Sequence, residues 1–312
     1  MIVTTDAHAR PCPGVTQAIS KTEEKLRQGE NIITAGELIH NRREVARLEE
    51  LGLQYVTPGE VDALAKKKAL KDHTFLVRAH GEKEEILKKS DQYGMKNLDA
   101  TCPIVRHSQK IVDTHVKEGW GIVIVGKKNH PEVVGIESRA RGSIKVISTL
   151  KETEQDFDNR TLLIAQTTID PALFNKVRTR LFKKIPRLKV VDTTCRYLRK
   201  RQKSMREFAA AHDVIIHVGG KNSSNGKLLH ETSLQVNKRS YRVESCDEVN
   251  PEWFREGDSV GVTGYASTPR WQLEEMHYYL EHLKLDENPK GLKNRKGGTF
   301  LWWPRKKTRT KK

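Results

Sequence analysis

Residues 98–112, Leu-Asp-Ala-Thr-Cys-Pro-Ile-Val-Arg-His-Ser-Gln-Lys-Ile-Val, contain the pattern that decides the fold. A short apolar-leaning segment ends at Cys102, and apolar residues with helical spacing follow it. The same pattern surrounds Cys12 and Cys195, which lie 90 residues before and 93 residues after Cys102. This spacing indicates an internal repeat, and it predicts a cysteine between a strand and a helix in each of three copies.

Polar residues recur at similar distances from the three cysteines. Counting 28 residues on from each cysteine gives one set, which is His40, His130 and Ser223. Offsets of 68, 65 and 72 residues give a second set, which is His80, Thr167 and Ser267. Each of these residues follows a short apolar run that is typical of a buried parallel strand. We call these six side chains the tip residues, because each is predicted to lie just beyond the end of a strand.

The repeat predicts an α/β fold in which three pseudo-threefold-related units pack as a trefoil. The predicted units are residues 1–97, 98–190 and 191–287, and a basic tail with a docking strand at 299–304 occupies residues 288–312. In alternating β/α architecture, the strand ends that lead into helices gather at one edge, where ligands bind. We therefore expect the three thiols to meet near the axis, with the tip residues around a cavity above them.

The predicted elements follow this repeat. Strands are expected near residue 32 and at residues 75–77, 122–125, 144–147, 162–165, 214–218 and 260–263. Helices are expected at residues 15–28, 42–51, 61–70, 82–93, 105–118, 197–211 and 270–283, and another begins at Asp170-Pro171. Residues 126–133 are predicted to form a loop. Residues 219–226 are rich in glycine and hydroxyls and lead into a helix, as in a phosphate-binding helix N-terminus.

Composition and charge limit the class of protein. Hydrophobic residues make up 36% of the 312-residue chain and charged residues 31%, which is typical of a soluble globular protein. No apolar run approaches the ~18 residues that a membrane helix needs. The first residues resemble no secretory signal, so a cytoplasmic location is predicted.

The net charge is unevenly distributed. The formal charge is +17, but residues 288–312 hold ten Lys or Arg and no acid, which leaves +7 on residues 1–287. A body of this charge suits an anionic substrate or an acidic redox partner. Because aromatic residues make up only 6% of the chain and no nucleic-acid module is recognisable, no specific nucleic-acid partner is expected.

The cysteines predict a metal centre. None of the four lies in a C-x-x-C pair, which argues against a disulfide framework and against a finger or ribbon zinc site. Three thiolates brought together favour zinc or an iron–sulfur cluster. A [4Fe–4S] cluster normally takes four cysteines, so three would leave one iron open. Cys246 has no counterpart in the other copies and is predicted to be a simple buried thiol.

Two interpretations of these residues remain open at this point. One is an iron–sulfur enzyme, and the other is a zinc-dependent hydrolase that uses the same thiolates with His130 and Glu132. Glu132 is the acid that the sequence places beside a tip residue, so it is the candidate proton source, although a solvated loop glutamate is the ordinary alternative. Colour separates the two classes, because zinc gives no visible absorption.

Nine collinear segments resemble the 4-hydroxy-3-methylbut-2-enyl diphosphate reductase family, also called LytB or IspH. The match runs in order from about residue 1 to residue 285. The segments are Cys12-Pro-Gly-Val, His40-Asn, Ala79-His80-Gly81, Asp99-Ala-Thr-Cys102-Pro, His130-Pro-Glu132-Val, Gln166-Thr167-Thr168, Arg201-Gln202, Lys221-Asn-Ser-Ser-Asn225 and Ala266-Ser267-x-Pro269.

This resemblance implies an activity, a cofactor and a set of site residues. The activity is reductive dehydroxylation of the allylic diphosphate to isopentenyl and dimethylallyl diphosphate, the last step of the non-mevalonate isoprenoid pathway. The cofactor is one [4Fe–4S] cluster per chain, held by Cys12, Cys102 and Cys195, with one iron not ligated by cysteine. The implied substrate-binding residues are His40, His80, His130, Thr167, Ser223, Ser224, Asn225 and Ser267.

The resemblance also implies the catalytic residues, which are Glu132 as proton source, Thr167 as the residue that positions the hydroxyl, and His130. An acidic ferredoxin or flavodoxin is the expected electron donor, because the chain has no nicotinamide or flavin fingerprint and is basic. Two departures from the family pattern stand beside cysteines. Arg10-Pro11 replaces the usual Gly-Phe before Cys12, and Leu198 stands where a threonine is usual, which removes a hydroxyl.

Overall fold

The computed structural model describes residues 1–66 and 70–283, in which strands and helices alternate. The strands are β1 (Ile2–Thr5), β2 (Asn31–Thr34), β3 (Gln54–Tyr55), β4 (His73–Val77), β5 (Lys96–Asp99), β6 (Gly121–Val125), β7 (Ile144–Ile147), β8 (Arg160–Ala165), β9 (Arg187–Val190), β10 (Val214–Val218), β11 (Ser240–Val243) and β12 (Ser259–Gly264). The helices are α1 (Pro13–Arg27), α2 (Arg42–Glu50), α3 (Pro58–Lys66), α4 (Glu84–Gln92), α5 (Pro103–Lys117), α6 (Pro131–Arg139), α7 (Pro171–Phe182), α8 (Arg196–Ala210), α9 (Ser224–Leu234) and α10 (Arg270–Glu281).

The strands form three sheets of four, and every pairing is parallel. Their orders are β3-β2-β4-β5, β7-β6-β8-β9 and β11-β10-β12-β1. The same topology occurs three times, which confirms the predicted three-unit α/β class.

The central strands explain why the apolar runs of the sequence form buried sheets. Every residue of β6 and of β10 is buried, as expected for strands covered by helices on both faces. The edge strands β1 and β5 are more exposed. Separate clusters of buried apolar side chains fill the space between each sheet and its helices.

The edge strand of each sheet leads into the cysteine of the next unit. β5 belongs to the first sheet and precedes Cys102, and β9 belongs to the second sheet and precedes Cys195. β1 pairs with β12 in the third sheet, with Val3 opposite Val260. The N-terminal strand therefore closes the three units into a ring. The predicted unit boundaries remain a prediction, but each cysteine lies where the chain crosses between sheets.

A buried ion pair secures this closure. Arg201 on α8 contacts Asp6, which directly follows β1, and both side chains are almost fully buried. Arg201 Nη2 also donates to Thr263 Oγ1 on β12 at 2.7 Å, and Thr263 Oγ1 donates to Asp6 Oδ2 at 2.8 Å. Breaking a buried pair of this kind by removing one partner typically costs ~3–5 kcal/mol. The pair joins the first and last strands of the ring.

Some strands and helices of the structure differ from those predicted from the sequence. The sequence analysis gave no strand at β1, β3 or β11, which are short and partly exposed. Helix α6 begins at Pro131, inside the segment predicted as a loop, because His130 caps it and proline fits the first helical position. The predicted docking strand at 299–304 lies outside the described residues. Within the described residues, no helix is long and apolar enough to cross a membrane.

Candidate active site

Three thiols occupy equivalent positions at the starts of three helices. Cys12, Cys102 and Cys195 are the N-cap residues of α1, α5 and α8. Their backbone N–H groups donate to carbonyl oxygens that follow β12, β4 and β8, at Ala266 (3.0 Å), Ala79 (2.9 Å) and Thr167 (2.9 Å) respectively. We call these three cysteines the thiol ring. Its backbone geometry is repeated almost identically in the three units.

The thiols interact with one another in a confined space. The pKa of Cys12 is raised to about 11, chiefly by burial and to a smaller extent by the neighbouring Cys102 and Cys195. Burial also raises the pKa of Cys195, against the effect of the backbone N–H groups of Leu198 and Tyr197. A Cβ atom on Gly14 would lie 2.7 Å from Cys102 Sγ, so a side chain at position 14 would collide with the thiol. The structure thus brings the three predicted ligands together.

Cys246 lies apart from the thiol ring. It begins a short 3-10 turn, Cys246–Glu248, and its half-buried side chain packs against the core of the third sheet. Burial raises the pKa of its thiol to about 12. The thiol is therefore protonated and packed as an ordinary apolar group.

Three histidines from two units meet in one cluster. The ring centroids of His40 and His80 lie 4.3 Å apart, and the centroid of His130 lies 5.4 Å from that of His40 and 5.6 Å from that of His80. One ring nitrogen of each lies within 4.8 Å of the others. Burial lowers the pKa of His130 to about 3 and that of His80 well below its usual value. His130 Nδ1 accepts from the Glu132 N–H at 3.2 Å, which leaves the ring proton on Nε2.

Several buried polar atoms here make no hydrogen bond within the part of the chain that the structure describes, although Glu37 lies within ion-pair distance of one of them, His40 Nδ1. They are both ring nitrogens of His40, Nδ1 of His80, and Nδ2 and Oδ1 of Asn225. Buried polar groups in folded proteins are nearly always hydrogen-bonded. Unsatisfied donors and acceptors from two units therefore indicate a binding site for a polar ligand.

The third unit contributes hydroxyls to the same region. Ser223 caps α9 and accepts from the Gly226 N–H at 3.1 Å, and Ser224 and Asn225 form the first turn of that helix. Ser267 Oγ donates to the backbone oxygen of His40 at 3.1 Å. All four side chains are buried. The hydroxyls of the third unit therefore lie against the histidines of the first.

Helix N-termini add positive potential to the cavity. Helices α2, α6 and α9 begin at or beside tip residues, with Asn41, His130 and Ser223 as their caps. The N-terminus of a helix presents free N–H groups and a partial positive charge, which suit phosphate groups. The tip region has the features of an anion site.

Glu132 is the buried acid of this cavity. It is 1% exposed and accepts hydrogen bonds of 2.7 Å from both the N–H and the Oγ1 of Thr167. Burial raises its pKa to about 7, against the effect of the two Thr167 bonds. A carboxyl group with this pKa is well suited to transfer protons near neutral pH.

Two details of the sequence prediction require correction. The first concerns the turns after β4, β8 and β12, each of which is closed by a backbone N–H that donates to the carbonyl oxygen three residues earlier. These bonds run from Gly81 to Arg78, from Ile169 to Gln166 and from Thr268 to Tyr265. The residue before each donor is His80, Thr168 and Ser267, so Thr168 and not Thr167 is the equivalent residue in the second unit. The shorter offset of 65 residues concealed this shift. Glu132 is also not the sole acid near a tip residue, since Glu37 Oε2 lies 4.0 Å from His40 Nδ1.

Other residues of the cavity wall were missed. Gln166 is fully buried, accepts from the Lys127 N–H at 2.9 Å and donates to Thr168 Oγ1 at 2.7 Å. Lys127 Nζ reaches Ser224 Oγ at 3.2 Å across two units. Asn41 Nδ2 donates to Ser267 O at 2.9 Å. Asn41 and Gln166 belong to the matched family segments, but nothing in the sequence pattern singled out Lys127.

These features define a class of protein, a three-unit α/β fold in which three cysteines at helix starts lie near a cluster of buried histidines and hydroxyls. The family model described as LytB protein matches residues 3–281. The chain therefore belongs to the LytB family.

Named relatives and solved structures agree with this assignment. The 4-hydroxy-3-methylbut-2-enyl diphosphate reductase of Bacteroides thetaiotaomicron is 36% identical over 283 residues, which cover 88% of this chain and 96% of the relative. The reductase of Aquifex aeolicus is 36% identical over 284 residues, covering 88% and 94%.

A solved structure of (E)-4-hydroxy-3-methyl-but-2-enyl diphosphate reductase, the terminal enzyme of the non-mevalonate pathway, is 33% identical with a TM-score of 0.66 and covers 91% of this chain and 100% of its own. The structure of the reductase from Plasmodium falciparum, at 23% identity, a TM-score of 0.81 and coverage of 91% and 89%, supports the fold. Each of these proteins is a reductase, so the zinc hydrolase alternative has no support.

Proposed function

We propose that this chain is a 4-hydroxy-3-methylbut-2-enyl diphosphate reductase. The reaction replaces the allylic hydroxyl by hydrogen, so each turnover consumes two electrons and two protons and releases water with isopentenyl or dimethylallyl diphosphate. The observation that carries the proposal is the buried carboxyl of Glu132, which is close enough to Cys195 to raise the pKa of that thiol and whose backbone N–H donates to His130 of the histidine cluster. An anion site and a proton donor beside three metal-ligand candidates suit this reaction.

The thiol ring fits a [4Fe–4S] cluster, one per chain, with one iron not ligated by cysteine. Each of the three cysteines lies at a helix N-terminus, where backbone N–H groups stabilise the thiolate and so lower its pKa. Burial has the larger effect in the opposite direction and raises the pKa of Cys12 and Cys195. A bound metal centre would supply the positive charge that deprotonates them. When bound, such a cluster supplies single electrons, and its open iron supplies Lewis acidity.

The cavity residues would hold the diphosphate. Ser223, Ser224 and Asn225 lie at the start of α9, whose N–H groups suit a phosphate group. The remaining contacts in this proposal come from His40, His80, His130 and Ser267. Because His130 and His80 have lowered pKa values, they enter the complex as neutral hydrogen-bonding groups.

Thr167 and Glu132 would handle the hydroxyl and the protons. Thr167 Oγ1 bonds Glu132 Oε2 at 2.7 Å, so a substrate hydroxyl next to Thr167 would lie beside an acid. Glu132 would protonate the departing oxygen, because a poor leaving group departs more readily as water. His130, linked to Glu132 through the Glu132 N–H, would orient the substrate and support proton transfer.

An acidic one-electron carrier, a ferredoxin or flavodoxin, is proposed as the donor. Helix α8 starts at Cys195 and exposes Arg196, Arg199, Lys200 and Lys203. Cations near a helix N-terminus are unfavourable for the helix, so their accumulation beside the thiol ring suits an external acidic partner.

Replacing Arg196 and Lys200 by Glu should raise the donor KM several-fold at low salt, whereas the same change at Lys176 and Arg178 on α7 should not. Equal effects of the two pairs would refute this docking site.

The test of the proposed function is turnover by anaerobically purified protein. With a chemical reductant such as reduced viologen, the protein should convert the hydroxylated diphosphate to the two products, and it should be brown and contain iron. A colourless protein that holds zinc and hydrolyses phosphate esters would instead support the hydrolase. We also infer a cytoplasmic location, because none of the four cysteines forms a disulfide.

A further inference from the structure

Most of the residues that the sequence predicts for the diphosphate site carry no charge. Ser223, Ser224 and Asn225 are neutral, and the lowered pKa values of His80 and His130 keep these rings neutral as well. A diphosphate ester carries at least two negative charges near neutral pH. Transferring it from water into a partly buried site is costly unless a cation accompanies it.

Lys127 brings a cation to this site from another unit. It lies in the loop between β6 and α6, and the left-handed backbone of Asn129 (φ 65°) turns that loop towards His130. The backbone of Lys127 is fixed by its hydrogen bond to Gln166 Oε1 at 2.9 Å. Its Nζ donates to Ser224 Oγ at 3.2 Å, although the residue as a whole is exposed. The ammonium group therefore lies beside the start of α9.

The environment of Lys127 differs from that of the next residue. Lys128 pairs with Glu152 at 2.7 Å. Lys127 makes no salt bridge to a carboxylate of the described residues. Burial lowers the pKa of Lys127, and the nearby cations Lys227 and Arg242 lower it further, whereas Glu231 acts in the opposite direction. Lys127 is thus the lysine of this loop that is available to a ligand.

Two further observations point to an anion beside Lys127. Asn225 is 5% exposed, yet its amide nitrogen and oxygen have no partner within the described part of the chain. It follows Ser224 in the first turn of α9, where backbone N–H groups are free to bind a ligand. An ammonium, an unsatisfied amide and a helix N-terminus therefore converge on Ser224.

We propose that Lys127 is the cation that recognises the substrate's diphosphate, binding the phosphate group that Ser224 and Asn225 hold at the start of α9. This proposal rests on the proposed function. Because Lys127 belongs to the second unit and α9 to the third, the contact would bridge two units around the bound anion. Lys127 acts in binding and not in the chemical step.

The test compares Lys127→Met, Lys127→Arg and Lys128→Met in the cluster-containing protein. Lys127→Met should raise the substrate KM and the dissociation constant of inorganic pyrophosphate by about 10- to 100-fold, as expected for a lost charge-assisted bond. The kcat should stay within about threefold, and Lys127→Arg should restore most of the affinity. Lys128→Met, which removes a charge paired with Glu152, should change neither constant.

Pyrophosphate affinity, measured by calorimetry, separates this proposal from the proposed function. If the wild type binds pyrophosphate but does not reduce the substrate, the function fails, and Lys127 is still judged by the affinity of its variants. Added salt should weaken pyrophosphate binding less in Lys127→Met than in the wild type, because one charge interaction is gone. Unchanged pyrophosphate affinity in Lys127→Met, or a fall in kcat at unchanged KM, would overturn the proposal.

Discussion

The thiol ring and the tip residues both recur in all three units, yet only the thiol ring has the same residue type in each. All three units provide a cysteine at a helix start, with nearly equal backbone hydrogen bonds of 3.0, 2.9 and 2.9 Å. The tip residues are two imidazoles in the first unit, an imidazole and a threonine in the second, and two hydroxyls in the third. Three equivalent cysteines suit a metal centre with thiolate ligands, whereas an asymmetric substrate needs different groups on its different sides.

The asymmetry also separates chemistry from recognition. The second unit holds the buried acid Glu132, and the third unit holds the hydroxyls and the free amide at the start of α9. We therefore expect the three units to contribute differently to the proposed reaction. Substitutions in the thiol ring should remove the metal centre, whereas substitutions at the tips should alter single steps.

The largest expected effect comes from breaking the thiol ring. Cys102→Ser should lose the cluster and all turnover, because a neutral hydroxyl is a poor ligand for iron. Cys246→Ser is the matched control, since that thiol is protonated and packs away from the axis. Iron content and visible absorption of anaerobic protein measure both. Full iron content in Cys102→Ser, or loss of iron in Cys246→Ser, would show that the ligand set is wrong.

A smaller but still large effect is expected at Glu132. Glu132→Gln keeps the shape and can still accept from Thr167, but it cannot donate a proton, so kcat should fall by ~10²–10⁴. With a pKa of about 7, wild-type Glu132 is protonated below pH 7, and kcat should fall as the pH rises through that value. The variant should lose this dependence while still binding substrate.

Single-turnover and binding measurements decide between two roles of Glu132. If Glu132→Gln binds substrate as the wild type does and fails to turn over, the acid role holds. If it loses affinity and keeps its rate at saturation, Glu132 serves binding, and the proton must come from His130 or the diphosphate.

The sequence was sufficient for the three cysteines and for the central strands of the repeat. The spacing of 90 and 93 residues located the three cysteines, and the apolar runs located the central strands. These features depend on local pattern, namely a strand, a helix start and the residue between them. The position of β1 is different, because Val3 pairs with Val260 and no local signal spans that distance.

Contacts between units were also beyond the sequence. Lys127 reaches Ser224, and Asn41 exchanges two amide hydrogen bonds with Gln272, only because the units meet at particular angles. A lysine in a polar loop is ordinarily solvated, so the sequence around Lys127 does not predict a contact with another unit. The prediction that Thr167 is equivalent to His80 and Ser267 failed for a related reason. Because the loops of the three units differ in length, counting residues from each cysteine can miss the equivalent position by one residue.

The smallest effect tests which of these two threonines belongs to the proton pathway. The hydrogen bonds from Thr167 lower the pKa of Glu132. Thr167→Val removes the 2.7 Å hydroxyl bond to Glu132 Oε2 and keeps the size of the side chain. The pKa of Glu132 should rise above about 7 by roughly one unit, since a hydrogen bond to a charged group contributes ~1.5 kcal/mol and one pKa unit is about 1.4 kcal/mol.

The alkaline limb of the kcat profile should therefore move to higher pH in Thr167→Val, because Glu132 keeps its proton to a higher pH. Thr168→Val is the matched control. Thr168 Oγ1 accepts a hydrogen bond from Gln166 Nε2 at 2.7 Å, whereas the hydrogen bonds to the Glu132 carboxylate come from Thr167. That variant should leave the limb in place and change KM instead, because Thr168 is the backbone equivalent of His80 and Ser267. A limb that moves in Thr168→Val and not in Thr167→Val would reverse the roles of the two residues.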